Sequence, residues 1–190
     1  MFFNMEKGVF LIDGGYLSFI SKFLGGGKHL KFKIENFVLN IFRRINLDCE
    51  FIYYYTAPPY QNPNPNEDEK RRRANYDKFI KKLKEVEIPK IIIKEGRCQK
   101  TDTDFCQKGV DTLITMDLMK LTKEANVKNI VLLTSDTDFV PIIQDIKKNN
   151  NTNVILVYFT DKKRKSPFSL SNYLWEACNR RVLIKLEDFK

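Results

Sequence analysis

The sequence predicts an α/β protein, a three-layer α/β/α sandwich around a central and mainly parallel sheet. Short apolar runs rich in β-branched and aromatic residues recur along the chain, and longer segments of helical period separate them in nearly strict alternation. No internal repeat breaks this order. The runs predict strands over Val9–Asp13, Phe51–Thr56, Lys90–Glu95, Asn129–Thr134 and Asn153–Phe159, with Val182–Leu186 as an edge strand. The intervening periodicity predicts helices near Tyr16–Phe23, Ile34–Ile45, Glu67–Val86, Val110–Glu124, Asp138–Lys148 and Ser169–Cys178. Right-handed crossovers put helices on both faces of such a sheet and leave a crevice at the carboxyl ends of its strands, where function is to be sought.

A chain of 190 residues suits one domain, read here as 1–190. With 43% hydrophobic and 30% charged residues it has the means to bury a core, and disorder or low complexity is disfavoured. No apolar run nears the roughly 20 residues that span a bilayer, and MFFNMEKGVFLIDGG reaches an acid too soon for a signal peptide, so a soluble cytoplasmic protein is expected. A formal charge of +9 favours polyanionic partners, nucleic acid or acidic membrane surface.

Chemistry based on thiols or imidazole is disfavoured. Cys49, Cys98, Cys106 and Cys178 are scattered without a CxxC pair, and the single histidine, His29, follows three glycines that read as a flexible turn. A structural zinc site and a Ser-His-Asp or Cys-His scheme lack the residues they need. Carboxylates, lysines or a metal remain.

The carboxylates stand in telling places. Asp13 appears as the run VFLID leaves the core, and Asp136 and Asp138 repeat this in IVLLTSDTDF. Asp and Ser also cap helices and favour turns at such junctions, so one junction alone means little. Asp111 falls in the first turn of a helix beginning near Gly109, where the helix dipole favours a negative charge. On that helix Val110, Leu113, Ile114, Asp117 and Leu121 share one face and Asp111, Thr115 and Leu118 another. Asp117, among apolar neighbours, needs a partner, as a structural acid or a group supporting the site. Were Asp13, Asp111, Asp136 and Asp138 to converge, they could not all stay ionised without a cation. Oxygen-only donors in an open site suit Mg²⁺ or Mn²⁺, which can activate water and stabilise charge at phosphorus.

Taken in order, FLIDGGYL, QKGVDTLITMDLMKL and VLLTSDTDFVPIIQDIKK resemble the NYN domain of the PIN-like nuclease superfamily, in its bacterial LabA-like branch. YYYTAPPYQ followed by RRRANYDKFIKKL is similar to that branch's second strand, loop and third helix. The resemblance covers nearly the whole chain, and KGVD followed by DL, together with SDTDF-P, are its strongest motifs. It implies a PIN-like, Rossmann-like three-layer fold with an acidic cluster at the sheet's carboxyl edge and metal-dependent ribonuclease activity. Carried over by motif, the acids are Asp13, Asp111, Asp136 and Asp138, with Lys108 and Ser135 beside them to order the site or contact phosphate. Where many NYN proteins have Asn, this chain has Tyr16, whose hydroxyl is the available replacement.

Basic residues cluster at Lys70–Arg73, Lys81–Lys84 and Lys162–Lys165, with Tyr60, Tyr76, Phe79 and Phe168 nearby. Arg71, Arg72 and Arg73, beside the Pro-rich loop Ala57–Asn66, and Lys162, Lys163 and Arg164, after the last core strand, are expected near the acids as binders of single-stranded RNA. Lys81–Lys84 reads better as a solvated helix face. The leading expectation is a Mg²⁺- or Mn²⁺-dependent endoribonuclease in which Asp13, Asp111 and Asp136 hold the metal and Asp138 is a further ligand or orients water. The alternative is a catalytically silent RNA-binding or protein-interaction module. A haloacid-dehalogenase-type phosphatase fits less well, because its DxD follows the first strand. A homodimer is compatible with the sequence, although no heptad or apolar stripe demands one.

Overall fold

A computed structural model describes residues 5–101, 105–124, 126–149, 151–161 and 171–190. Six strands, β1 (Glu6–Asp13), β2 (Leu47–Thr56), β3 (Lys90–Glu95), β6 (Asn129–Leu133), β7 (Asn153–Tyr158) and β8 (Arg180–Leu183), make a sheet in the order β3-β2-β1-β6-β7-β8. Every neighbouring pair is parallel. The remaining strands, β4 (Arg97–Lys100) and β5 (Phe105–Lys108), form a separate antiparallel ribbon. The helices are α1 (Gly14–Leu24), α2 (Ile34–Ile45), α3 (Glu67–Lys84), α4 (Val110–Leu121), α5 (Val140–Asn149) and α6 (Asn172–Ala177).

The two-residue period of the strands divides the core. Phe10 and Ile12 of β1, Val131 and Leu133 of β6, and Ile155 and Val157 of β7 pack with α1, α2 and the end of α3. Val9 and Leu11, Ile130 and Leu132, and Val154 and Leu156 pack with α4, α5 and α6 on the opposite face. A strand covered on both faces must be apolar at every position, which is why these runs read as continuous rather than alternating. The expected α/β/α architecture is therefore the observed one. Among the described residues no helix is long and apolar enough to cross a membrane.

Local chemistry sets the helix limits. Asn66 and Glu69 close a capping box at the start of α3, with acids in its first turn and lysines in its last. α2 stops at Asn46, whose φ of 58° is tolerated by a short polar side chain. Phe139 belongs to a single 3-10 turn, Thr137–Phe139, so α5 begins after the motif rather than inside it. On α4, Leu118 is buried and Leu113 only partly so, because the inward stripe runs Val110, Ile114, Asp117, Leu118 and Leu121. The edge strand lies at Arg180–Leu183, a little before its expected place, and a 3-10 turn at Leu186–Phe189 takes the residues that follow.

In the polar segment Arg97–Lys108, Arg97–Lys100 and Phe105–Lys108 pair as the β4–β5 ribbon. Gly96 lets the chain turn out of β3, since a Cβ there would sit 2.5 Å from the Lys108 carbonyl oxygen. Gly109 lets it turn into α4 with φ of 83°, a region that favours glycine.

Candidate active site at the switch point

Counted along the chain, the sheet's strands lie in the order 3-2-1-4-5-6, so the connections reverse direction between β1 and β6. An open parallel sheet forms its crevice at such a point, outside the carboxyl ends of the strands. Ile12 pairs with Leu133 in register, which brings Asp13 and the Thr134–Asp138 segment out at the same level.

Asp13 is the last residue of β1 and the N-cap of α1. Its Oδ1 accepts hydrogen bonds from the backbone N–H of Gly15 (2.9 Å) and Tyr16 (3.1 Å). Gly14 is required because β2 passes close by, so that a Cβ would stand 2.6 Å from the Tyr55 carbonyl oxygen. Asp136 caps the 3-10 turn, its Oδ1 accepting from the Asp138 N–H at 2.9 Å, and its own N–H donates to the buried Thr134 hydroxyl at 3.1 Å. Asp111 stands exposed in the first turn of α4, and Asp138 is exposed beyond the end of β6.

These four acids lie within electrostatic reach of one another. Burial raises the Asp13 carboxyl above its ordinary value, the two backbone N–H donors oppose that rise, and the charges of Asp111 and Asp136 add to it. Asp111 is likewise raised, first by burial and then by Asp136 and Asp138. Like charges held together favour protonation or a cation. The oxygen-only donor set fits a hard divalent ion in kind. As the side chains stand, no three His, Cys, Asp or Glu among the described residues are grouped to hold a metal ion directly.

The other expected site residues divide. Lys108 ends β5 and is exposed beside Gly109, and Ser135 is half-buried between Thr134 and Asp136. Tyr16 departs from its expected role: its side chain is buried in the core, 3% exposed, and its hydroxyl accepts from the Phe159 N–H at 3.0 Å. The ring lies in the layer between α1 and the sheet, with its hydroxyl within electrostatic reach of Asp13. Arg71, Arg72 and Arg73 are exposed on the first half of α3, where Arg71 and Arg72 pair with Asp68 and Arg73 with Asp77. Lys162, Lys163 and Arg164 lie outside the described residues. Sequence reasoning missed Gln107, whose Oε1 comes within 3.8 Å of a Cβ built on Gly15 and so brings the ribbon beside Asp13. Its polar setting carried no signal for that approach.

Asp117 has the partners its apolar setting demands. It accepts from the Tyr55 hydroxyl at 2.9 Å and pairs with the Lys94 ammonium at 3.4 Å, tying α4 to β2 and β3.

A three-layer fold with acids at its switch point is consistent with a PIN-like fold. The NYN domain model matches residues 9–182, and the chain belongs to the NYN domain family, within the PIN-like nuclease superfamily. Its structure is similar to the crystal structure of VPA0982, a protein of unknown function from Vibrio parahaemolyticus, with a TM-score of 0.62 and 17% identity over 100% of this chain and 99% of that one. That likeness concerns the fold. No curated protein matches the sequence.

Proposed function

We propose that this NYN protein, in the LabA-like branch, is a Mg²⁺- or Mn²⁺-dependent endoribonuclease acting on single-stranded RNA in the cytoplasm. The observation that carries the reading is the gathering of acids at the switch point, where Asp13 feels the charges of Asp111 and Asp136, and Asp111 those of Asp136 and Asp138. Asp13, Asp111 and Asp136 would hold the ion, partly through water. When bound, it would supply charge stabilisation at phosphorus and an activated water. Asp13 is kept in place for this by its two backbone donors, and Asp136 by its turn. Asp138, more exposed, would orient the attacking water and take its proton. Lys108 would meet a phosphate oxygen of the scissile strand, and Ser135 would support the Asp136 turn.

The test is cleavage of an end-labelled single-stranded RNA by purified protein in Mn²⁺, Mg²⁺ or EDTA. Activity is expected with the metals, with none in EDTA, and a loss of at least about 100-fold in Asp13→Asn and Asp136→Asn, the scale for a group that stabilises transition-state charge. Cleavage that persists in EDTA, or that survives Asp13→Asn, overturns the mechanism. The acids' spacing favours a second reading, in which RNA is bound and left intact. Tight binding without cleavage at any metal concentration would select it.

A further inference from the structure

Three elements meet at the β4–β5 ribbon. On the loop between β2 and α3, the Tyr60 ring lies 5.5 Å from that of Phe105 on β5, tilted by 39°. The Arg72 guanidinium of α3 stands over the Phe105 ring at 6.0 Å. Phe105 is 45% exposed despite these neighbours.

The loop that presents Tyr60 is fixed from beneath. Gln61 Nε2 donates to the Glu69 carbonyl oxygen at 2.6 Å, and Asn62 Nδ2 donates to the carboxylate of Glu69, which is 3% exposed and also closes the capping box. Asn62 Oδ1 in turn accepts from the Tyr60 hydroxyl at 3.4 Å. An aromatic held this firmly loses little freedom when a ligand stacks on it.

Charge on the ribbon points to the ligand. Lys100 stands directly opposite Phe105 in the antiparallel register, so the two side chains share one face of the ribbon. Lys100 forms no ion pair with another described residue, and the acids of the connecting segment, Asp102 and Asp104, lie outside the described residues. Phe105 and Gln107 share one face of the ribbon, two residues or about 7 Å apart, and Gln107 approaches Gly15 beside Asp13.

We propose that Tyr60, Phe105 and Arg72 form a stacking platform for an unpaired nucleobase, and that Lys100, on the same face of the ribbon, receives the adjoining phosphate, so that this surface binds the RNA strand next to the acidic crevice. Aromatic stacking and guanidinium contacts suit any base, which makes the platform a reader of single-strandedness rather than of sequence. The proposal rests on the ribonuclease reading for its substrate.

The test is fluorescence anisotropy with the full chain carrying Asp13→Asn, in Mg²⁺, against a labelled single-stranded RNA, a duplex of the same sequence, and strands with one abasic nucleotide at successive positions. Phe105→Ala is expected to weaken single-strand binding about 10-fold and to leave duplex binding unchanged. Phe105→Trp is expected to restore affinity, which separates loss of the ring from loss of fold. One abasic position should cost the Phe105 protein a similar factor and cost the Ala variant nothing. Equal affinity of the Phe105 and Ala proteins for single strands overturns the platform, even if the wild-type chain cleaves RNA in Mn²⁺. Failure to bind or cleave RNA at all overturns the ribonuclease reading and the platform with it.

Discussion

Asp13 is pulled two ways. Its backbone hydrogen bonds favour the carboxylate, whereas burial and the charges of Asp111 and Asp136 favour the acid and prevail. A carboxyl whose folded-state pKa lies above its ordinary 3.8 stabilises the fold fully below that pH, and the contribution is lost as pH rises through the raised value. Asp13→Asn keeps the Oδ1 acceptor and removes the charge. In EDTA the variant should therefore melt above the parent near pH 7, with the gap closing toward about pH 4. A gap that ignores pH, or one of opposite sign at pH 7, would show that the acids do not burden one another. Added Mn²⁺ should raise the parent's Tm and leave the variant's nearly fixed, since only a bound ion relieves the repulsion.

Residue by residue, the acids were the most legible part of the site, because a carboxylate at the exit of a buried apolar run stands out from its surroundings. Tyr16 was harder to place. A tyrosine carries a polar tip on an apolar body, and only the packing of α1 against Phe159 decides which end governs its place.

At the scale of elements, α4 owes its position to a buried polar triad as well as to its apolar stripe. Replacing Asp117 by Ala leaves the Tyr55 hydroxyl and the Lys94 ammonium without their partner, and should cost about 3 kcal/mol in urea unfolding. Tyr55→Phe removes one hydrogen bond and should cost about 1 kcal/mol. Similar losses for both would show that the ion pair contributes nothing beyond the hydroxyl. Because α4 carries Asp111, the Ala variant should also lose its metal-induced rise in Tm before it loses its fold.

The strands of the sheet were readable because burial on both faces forces unbroken apolar runs, and α2 was readable to its limits, Ile34–Ile45. The β4–β5 ribbon was not, since RCQK and FCQK carry no apolar alternation and owe their pairing to the two glycines that bracket them. The segment that brings Gln107 beside Gly15 was thus the one its composition disguised.

Across the whole molecule, a charge of +9 would, on the proposed ribonuclease reading, shape encounters with RNA irrespective of which residue touches which phosphate. Neutralising three phosphates of a single strand would weaken binding about 20-fold between roughly 50 and 200 mM salt. A titration over that range measures the slope. Affinity that does not change with salt would mean that the basic surface takes no part. Phe105→Ala should lower the curve without changing its slope, because stacking releases no counterions.

The chain order of the sheet has a consequence for biosynthesis. β1 pairs with β2 early, but its other edge is satisfied only by β6, more than a hundred residues later. While a ribosome is making that span, Val9–Ile12 present an unsatisfied apolar ladder, and a nascent chain broken off before Asn129 keeps it for good. Prematurely terminated products should be sticky and devoid of hydrolytic capacity, because half of the acidic crevice arrives with the strand that seals the seam.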